Sequence, residues 1–289
     1  MPSFVMPEGF GRPWRRITGV AGLLLWPAMV MATDGLFWSR DVAVAAQQGD
    51  GTALAVSKLE LALPWQQLDA REDGFSSGIR VNETRFDWSG TTAADSALYW
   101  VGVPLRYYQW RSSTGQLRLQ LEPGLMTDGN VTSAEALGTD VLLAWRGLPE
   151  RGFFWQVGLM VDRRFGDFKP RPQVALAAVA GDTEWLLGFP ETRVEHLLQP
   201  GWRGWLHIRP DGGVWREQLQ GQTQITEVMY RSWRMGAGTG LEWQPGWWLE
   251  LEAGLQRGRQ LEAVDSTQAT LRIQPGNNHF WRAGIALHF

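Results

Sequence analysis

The last nine residues, Trp281-Arg282-Ala283-Gly284-Ile285-Ala286-Leu287-His288-Phe289, constrain this chain more than any other stretch. Trp281, Ala283, Ile285, Leu287 and Phe289 are apolar, and Arg282, Gly284, Ala286 and His288 stand between them. A period of two sorts side chains only on an extended strand, where successive residues point to opposite faces. One face of this strand meets apolar surroundings and the other carries small or charged groups. An edge strand of a soluble sheet would share the period, so the rest of the chain has to decide.

The alternation recurs along most of the sequence. Leu117, Leu119 and Leu121 oppose Arg118, Gln120 and Glu122. Trp233, Met235, Ala237, Leu241 and Trp243 oppose Arg234, Gly236, Gly238, Gly240 and Glu242. Trp247, Leu249, Leu251, Ala253 and Leu255 oppose Glu250, Glu252, Gly254 and Gln256, and Tyr99–Tyr107 and Phe153–Val161 alternate likewise. The apolar face often begins or ends on an aromatic residue. A soluble sandwich has no pair of interfaces to mark with rings, whereas a membrane barrel girdles an apolar band about 25 Å tall. About 9–11 tilted residues cross the hydrocarbon, which is the length of these runs.

Composition supports a barrel. The 34 glycines and 18 tryptophans suit small inward positions and interfacial outward ones. Beyond the N-terminus no segment approaches the about 20 consecutive apolar residues of a spanning helix. A net charge of −3 lacks the clustered basic face of a nucleic-acid binder, and the absence of cysteine excludes thiol catalysis and thiolate metal sites. Arg12, Arg15 and Arg16 precede an apolar run from Ile17 to Val30, with small residues at Val30-Met31-Ala32. That order predicts a signal peptide over residues 1–32, cleaved after Ala32. Residues 33–51 show no pattern and are expected to be loosely ordered, with a single barrel domain over residues 52–289.

Turn residues separate the runs at Pro149-Glu150-Arg151-Gly152, Gly181-Asp182, Pro210-Asp211-Gly212-Gly213 and Pro245-Gly246. Longer polar stretches at Leu63–Ser77, Thr127–Ala136, Gly166–Pro172 and Arg257–His279 predict loops. If the chain ends in the periplasm, Pro245-Gly246 is inside and Arg257–His279 outside. Thirteen runs can be counted, but a single-chain bacterial barrel closes with an even number. The expected fold is therefore an all-β, antiparallel transmembrane β-barrel of about twelve strands, with ten or fourteen as alternatives. The weak first run and the run over 183–198, interrupted by Pro190, are the suspects.

Gly188-Phe189-Pro190-Glu191-Thr192-Arg193, Pro210-Asp211-Gly212-Gly213-Val214-Trp215 and Gly240-Leu241-Glu242-Trp243-Gln244-Pro245-Gly246-Trp247-Trp248-Leu249 together resemble an uncharacterised outer-membrane β-barrel family of proteobacteria. The resemblance covers roughly the C-terminal half. It implies a barrel and carries no activity, substrate or catalytic residue. The C-terminal strand also resembles the closing strand of bacterial outer-membrane barrels, whose assembly machinery reads a terminal aromatic. Phe289 is accordingly the expected assembly signal.

The polar face supplies the candidate lumen: Arg118, Glu122, Arg234, Glu242, Glu250, Glu252, Arg282 and His288. Their mixed signs fit an interior ion network that plugs or narrows the barrel better than a wide selective pore, which would carry one sign at its constriction. His196, His207, His279 and His288 lack any arrangement linking them to a nucleophile, so no catalytic residue, metal site or cofactor is expected. Trp202, Trp205, Trp215, Trp233, Trp243, Trp247 and Trp248 alternate with aliphatic residues, which favours an interfacial girdle over a sugar-stacking platform. The expectation is a non-enzymatic outer-membrane protein with a structural or narrow small-solute pore role. Its partners would be outer-membrane lipid, the barrel assembly machinery and a small solute, with no nucleic acid. Two rivals stay open: a barrel enzyme acting on envelope lipids, and a soluble secreted β-barrel binding an apolar or sugar ligand.

Overall fold

The alternating C-terminal segment joins the two ends of the chain. In the computed structural model the described residues are 34–45, 52–66, 73–90, 96–112, 115–150, 153–218, 224–265, 267 and 270–287. The signal segment over residues 1–32, His288 and Phe289 lie outside them. Strands β1 (Asp34–Asp41), β2 (Val44–Ala45), β3 (Ala53–Gln66), β4 (Gly74–Ser89), β5 (Ser96–Gly102) and β6 (Leu105–Ser112) come first. Next are β7 (Gly115–Thr127), β8 (Leu137–Glu150), β9 (Phe153–Val161), β10 (Pro170–Ala180), β11 (Thr183–Phe189) and β12 (Thr192–Gln199). The last are β13 (Trp202–Glu217), β14 (Thr226–Gln244), β15 (Trp247–Val264), β16 (Thr270–Ile273) and β17 (Asn278–Leu287).

Each strand pairs antiparallel with its neighbours, and β1 pairs with both β17 and β3. The ladder therefore closes on itself, so that among the described residues no strand is left as the open edge that would expose N–H and C=O groups to lipid. The segments β1 and β2, β5 and β6, and β16 and β17 are halves of single interrupted strands, since each couple pairs along one neighbour. The ring has about fourteen strands, one of the two expected alternatives to twelve.

Two missed strands and one false division take the thirteen runs counted in the sequence to fourteen. Residues 33–51 contain β1, not a loosely ordered segment alone; Phe37 points inward and Leu36 and Trp38 outward, so apolar residues on both faces hide the alternation. The run over 183–198 is two strands, because Phe189-Pro190 turns the chain back and Pro190 has no N–H for a ladder. Conversely Pro210-Asp211-Gly212-Gly213 is no turn but the middle of β13, in unbroken register with β14. Gly212 is there for close approach. A Cβ on it would lie 2.2 Å from the Tyr230 carbonyl oxygen and 2.6 Å from that of Arg164.

Two-residue turns at Gly181-Asp182, Pro200-Gly201 and Pro245-Gly246 share one rim, where β17 also ends. The opposite rim is uneven. β13, β14 and β15 have 16, 19 and 18 residues, whereas β11 and β12 have 7 and 8. Above the short strands β7 meets β13 directly through a parallel bridge, Thr127 to Arg216, and the Asp128 N–H donates to the Arg216 carbonyl at 3.1 Å. The barrel thus narrows, bypassing β8 to β12. Partial burial alone would raise the Asp128 carboxyl. Donors from the Gln218 and Asn130 backbone and the Asn130 side chain outweigh it and hold the group below the ordinary aspartate range.

The faces are sorted as a membrane requires. Leu249 is 45% and Leu251 61% exposed, as are Leu159 and Leu206 at 61% each, while Glu250 and Glu252, which alternate with Leu249 and Leu251 along β15, are buried. A soluble protein would hide the leucines and solvate the glutamates, so the soluble-barrel alternative does not describe this fold. Trp202, Trp243 and Trp247 lie exposed near the turn rim, Trp243 edge-on to Trp247 at 6.3 Å. Trp205 and Trp215 depart from the girdle expected of them: both are buried inside.

Candidate functional site

Inward-facing residues fill the barrel in two tiers. Towards the uneven rim Leu54, Val56, Phe86, Leu98, Trp100, Met126, Val214, Trp215, Val228, Tyr230 and Leu261 pack as one apolar cluster. Phe86 stands edge-on to Trp215 at 5.9 Å and to Tyr230 at 5.6 Å. Gly102 and Gly124 face each other across β5 and β7 so that the Trp100 indole can lie across them; a Cβ on either would sit 2.6 Å from the ring. This is a plug made from wall residues. The turn between β9 and β10 adds Phe168 to it, while Phe165 belongs to a separate cluster, stacked on Phe189 at 5.7 Å and edge-on to Trp233 at 6.1 Å.

Below the plug the filling is ionic. Asp211 accepts from Lys58 Nζ at 2.6 Å and Gln256 Nε2 at 2.9 Å, with Arg234 Nε 3.2 Å away. Arg234 also approaches Asp41 at 3.9 Å, and Arg259 approaches the same carboxylate at 3.6 Å. On the β12–β17 side Glu250 binds Arg203 at 2.7 Å and Arg282 at 3.7 Å, while Glu252 lies 3.5 Å from His207, 3.8 Å from Arg209 and 3.9 Å from Arg282. On the opposite wall Glu122 accepts from Trp100 Nε1 at 2.7 Å, pairs with Arg80 and lies 3.9 Å from Arg163, which also bridges to Asp140 at 3.5 Å. Removing such charges from water costs several kcal/mol each, so they persist only because nearly every one has a counter-charge.

A cavity of about 240 Å³ remains between these groups, bordered by Lys58, Glu60, Arg106, Gln173, Arg193 and Arg209 among others. It has room for a small solute and none for a wide aqueous channel.

The structure places Arg118, Glu122, Arg234, Glu250, Glu252 and Arg282 inside the ring, each less than 10% exposed. Glu242 does not join them. It is exposed at the turn rim, where its Oε1 accepts from the Gly246 N–H at 3.0 Å. Sequence reasoning missed Asp41, Lys58 and Asp211. Asp41 sits in the segment read as patternless and Asp211 in the supposed turn; the inward parity of β13 from Arg203 to His207, carried through Pro210, would have found the latter. Of the described histidines, His207 is buried against Glu252, His196 is exposed with Nδ1 2.9 Å from Thr183 Oγ1, and His279 is exposed. Among the described residues no three His, Asp or Glu side chains are grouped to hold a metal ion.

No protein-family model and no curated protein matches the chain. Among solved structures, the KdgM porin in complex with disordered oligogalacturonate aligns over 88% of this chain and 99% of its own, with 10% identity and a TM-score of 0.38. The β domain of the Bordetella autotransporter BrkA aligns over 88% of this chain and 99% of its own, at 16% identity and a TM-score of 0.29. The outer membrane protease OmpT from Escherichia coli aligns over 89% and 94%, at 9% identity and a TM-score of 0.22. These likenesses are too loose to carry an argument. The class is defined by the closed antiparallel ladder, the outward apolar belt and the polar interior, which together are those of an outer-membrane-type β-barrel.

Proposed function

We propose that this chain is an outer-membrane barrel with a narrow, closed-at-rest path for small solutes, and no enzyme. The supporting observation is the filled interior: an apolar plug at one end, mostly paired charges below it and a cavity of about 240 Å³ among them. Outer-membrane lipid is its solvent, and Phe289 is the signal that brings it to the assembly machinery. The three motifs resembling an uncharacterised proteobacterial family agree with this reading. Two of them fall on the β11–β12 turn and on the β14–β15 turn rim, and the third runs through β13.

Planar-bilayer recording tests it. The wild-type protein is expected to show conductance steps well below those of a wide porin, and Trp100→Ala/Trp215→Ala should enlarge them several-fold by emptying the plug. A steady wide-pore conductance from the wild type, or no change on removing both indoles, would contradict the proposal.

A further inference from the structure

Most inward arginines, Arg80, Arg203, Arg234 and Arg282 among them, have a carboxylate within 4.0 Å. Three on the β6–β8 wall differ. Among the described residues Arg106, Arg118 and Arg146 have no carboxylate within 4.0 Å, although Arg106 acts from farther off on Glu122, its diagonal neighbour on β7. Arg118 is fully buried; its Nη1 donates to Gln156 Oε1 at 2.8 Å and its Nη2 to the Tyr108 hydroxyl at 3.4 Å, while Nε has no acceptor. Arg146 is 3% exposed and lies 4.0 Å over the Phe154 ring, with Nε and Nη2 both lacking acceptors.

The register makes these charges neighbours. Arg118 on β7 pairs with Ala144 on β8, so Arg146 is its diagonal neighbour on the same face. Tyr108 pairs with Arg118, and Arg106 follows on the same face of β6. All three guanidinium groups act electrostatically on the Tyr108 hydroxyl. Like charges held together away from water repel, and a neutral water molecule would satisfy their N–H groups without offsetting that repulsion.

We infer that this wall holds a binding site for a small oxyanion, a carboxylate or a phosphate. The inference rests on the narrow-path reading and names the class of solute. A planar guanidinium fork matches either anion with two parallel hydrogen bonds, and the unfilled Nε and Nη2 of Arg146 form such a fork. Entry is provided from the cavity. Arg106 and Gln173 line it, and Gln173 accepts from Gln156, which in turn holds Arg118. An anion in the cavity meets Arg106 first, and the buried pair stands behind the Gln156–Gln173 hydrogen bond, one layer back from the cavity lining.

The test uses the full mature chain folded in detergent, with thermal unfolding followed in sodium chloride, sodium acetate and sodium phosphate at matched ionic strength. Acetate or phosphate should raise the midpoint with the logarithm of its concentration relative to chloride, and whichever does so identifies the anion's source. Arg146→Gln should weaken the apparent affinity about tenfold or more, whereas exposed Arg272→Gln should not. If Arg146→Gln does not fold, the less buried Arg106→Gln carries the same comparison. No rise over chloride in the wild type, or an undiminished rise in the foldable cavity variants, would overturn the site. A barrel that binds the anion yet never conducts would overturn the path and leave the site standing.

Discussion

Replacing Arg234 with leucine is expected to destabilise the folded barrel by about 3–5 kcal/mol, because it leaves buried carboxylates short of a counter-charge. Arg234 is 1% exposed and stands between Asp211 and Asp41, 3.2 Å and 3.9 Å away, with Nη2 donating to Ser39 Oγ at 3.3 Å. Its guanidinium also covers the Phe280 ring at 4.7 Å. Without it Asp211 keeps Lys58 and Gln256, but Asp41 keeps only Arg259 at 3.6 Å. Asp41→Asn in the same chain should therefore recover part of the loss, so the double variant costs less than the two single changes added. Urea unfolding of protein folded in lipid vesicles measures both. An Arg234→Leu variant within about 0.5 kcal/mol of wild type would show that the interior network is not what holds β1 and β13 together.

The second large effect concerns the outer face. Leu251→Arg is expected to cost about 2–4 kcal/mol in a bilayer, since arginine near the midplane of a barrel's lipid face has nothing to solvate it. In water a 61% exposed leucine tolerates that change within about 0.5 kcal/mol. Leu271 is the matched control, also 61% exposed but on β16, which pairs with the far end of β15. Its partner Ala263 lies about 30 Å beyond Leu251, at about 3.3 Å rise per residue and a 40° tilt. Leu271→Arg should be near neutral. From sequence alone Glu252 would seem the tolerant comparison, because its face is polar. The structure removes that option: an arginine there would join His207, Arg209 and Arg282 around one vanished carboxylate.

The sequence disclosed the sorting of faces wherever strand parity ran unbroken. Arg118, Glu122, Arg234, Glu250, Glu252 and Arg282 were legible for that reason. Parity failed where a strand carried apolar residues on both sides, as at Phe37, or where a rim position kept the parity but lay beyond the interior, as at Glu242. It also failed at Pro210-Asp211-Gly212-Gly213. Those residues read locally as a turn, yet the glycine is required by a distant segment, the Arg164 carbonyl pressing on β13. The indoles were divided by parity and by a glycine on the next strand. Trp205 shares the inward parity of Arg203 and His207 while Trp202 faces out, and it is Gly238 opposite that leaves the inward ring its room. The unpaired arginine wall could not be read at all, because it is defined by which carboxylates fail to reach it across the lumen.

The direction in which the leucines point can be measured directly. The chain contains no cysteine, so single cysteines at Leu159, Leu206, Leu251 and Leu271, each 61% exposed in the folded chain, can carry a polarity-sensitive fluorophore without background. In vesicles containing nitroxide lipids the first three labels should emit as in hydrocarbon and be quenched by the lipid, while the label at Leu271 should emit as in water and escape quenching. Water-like, unquenched emission from all four positions would mean that the apolar belt never meets a membrane.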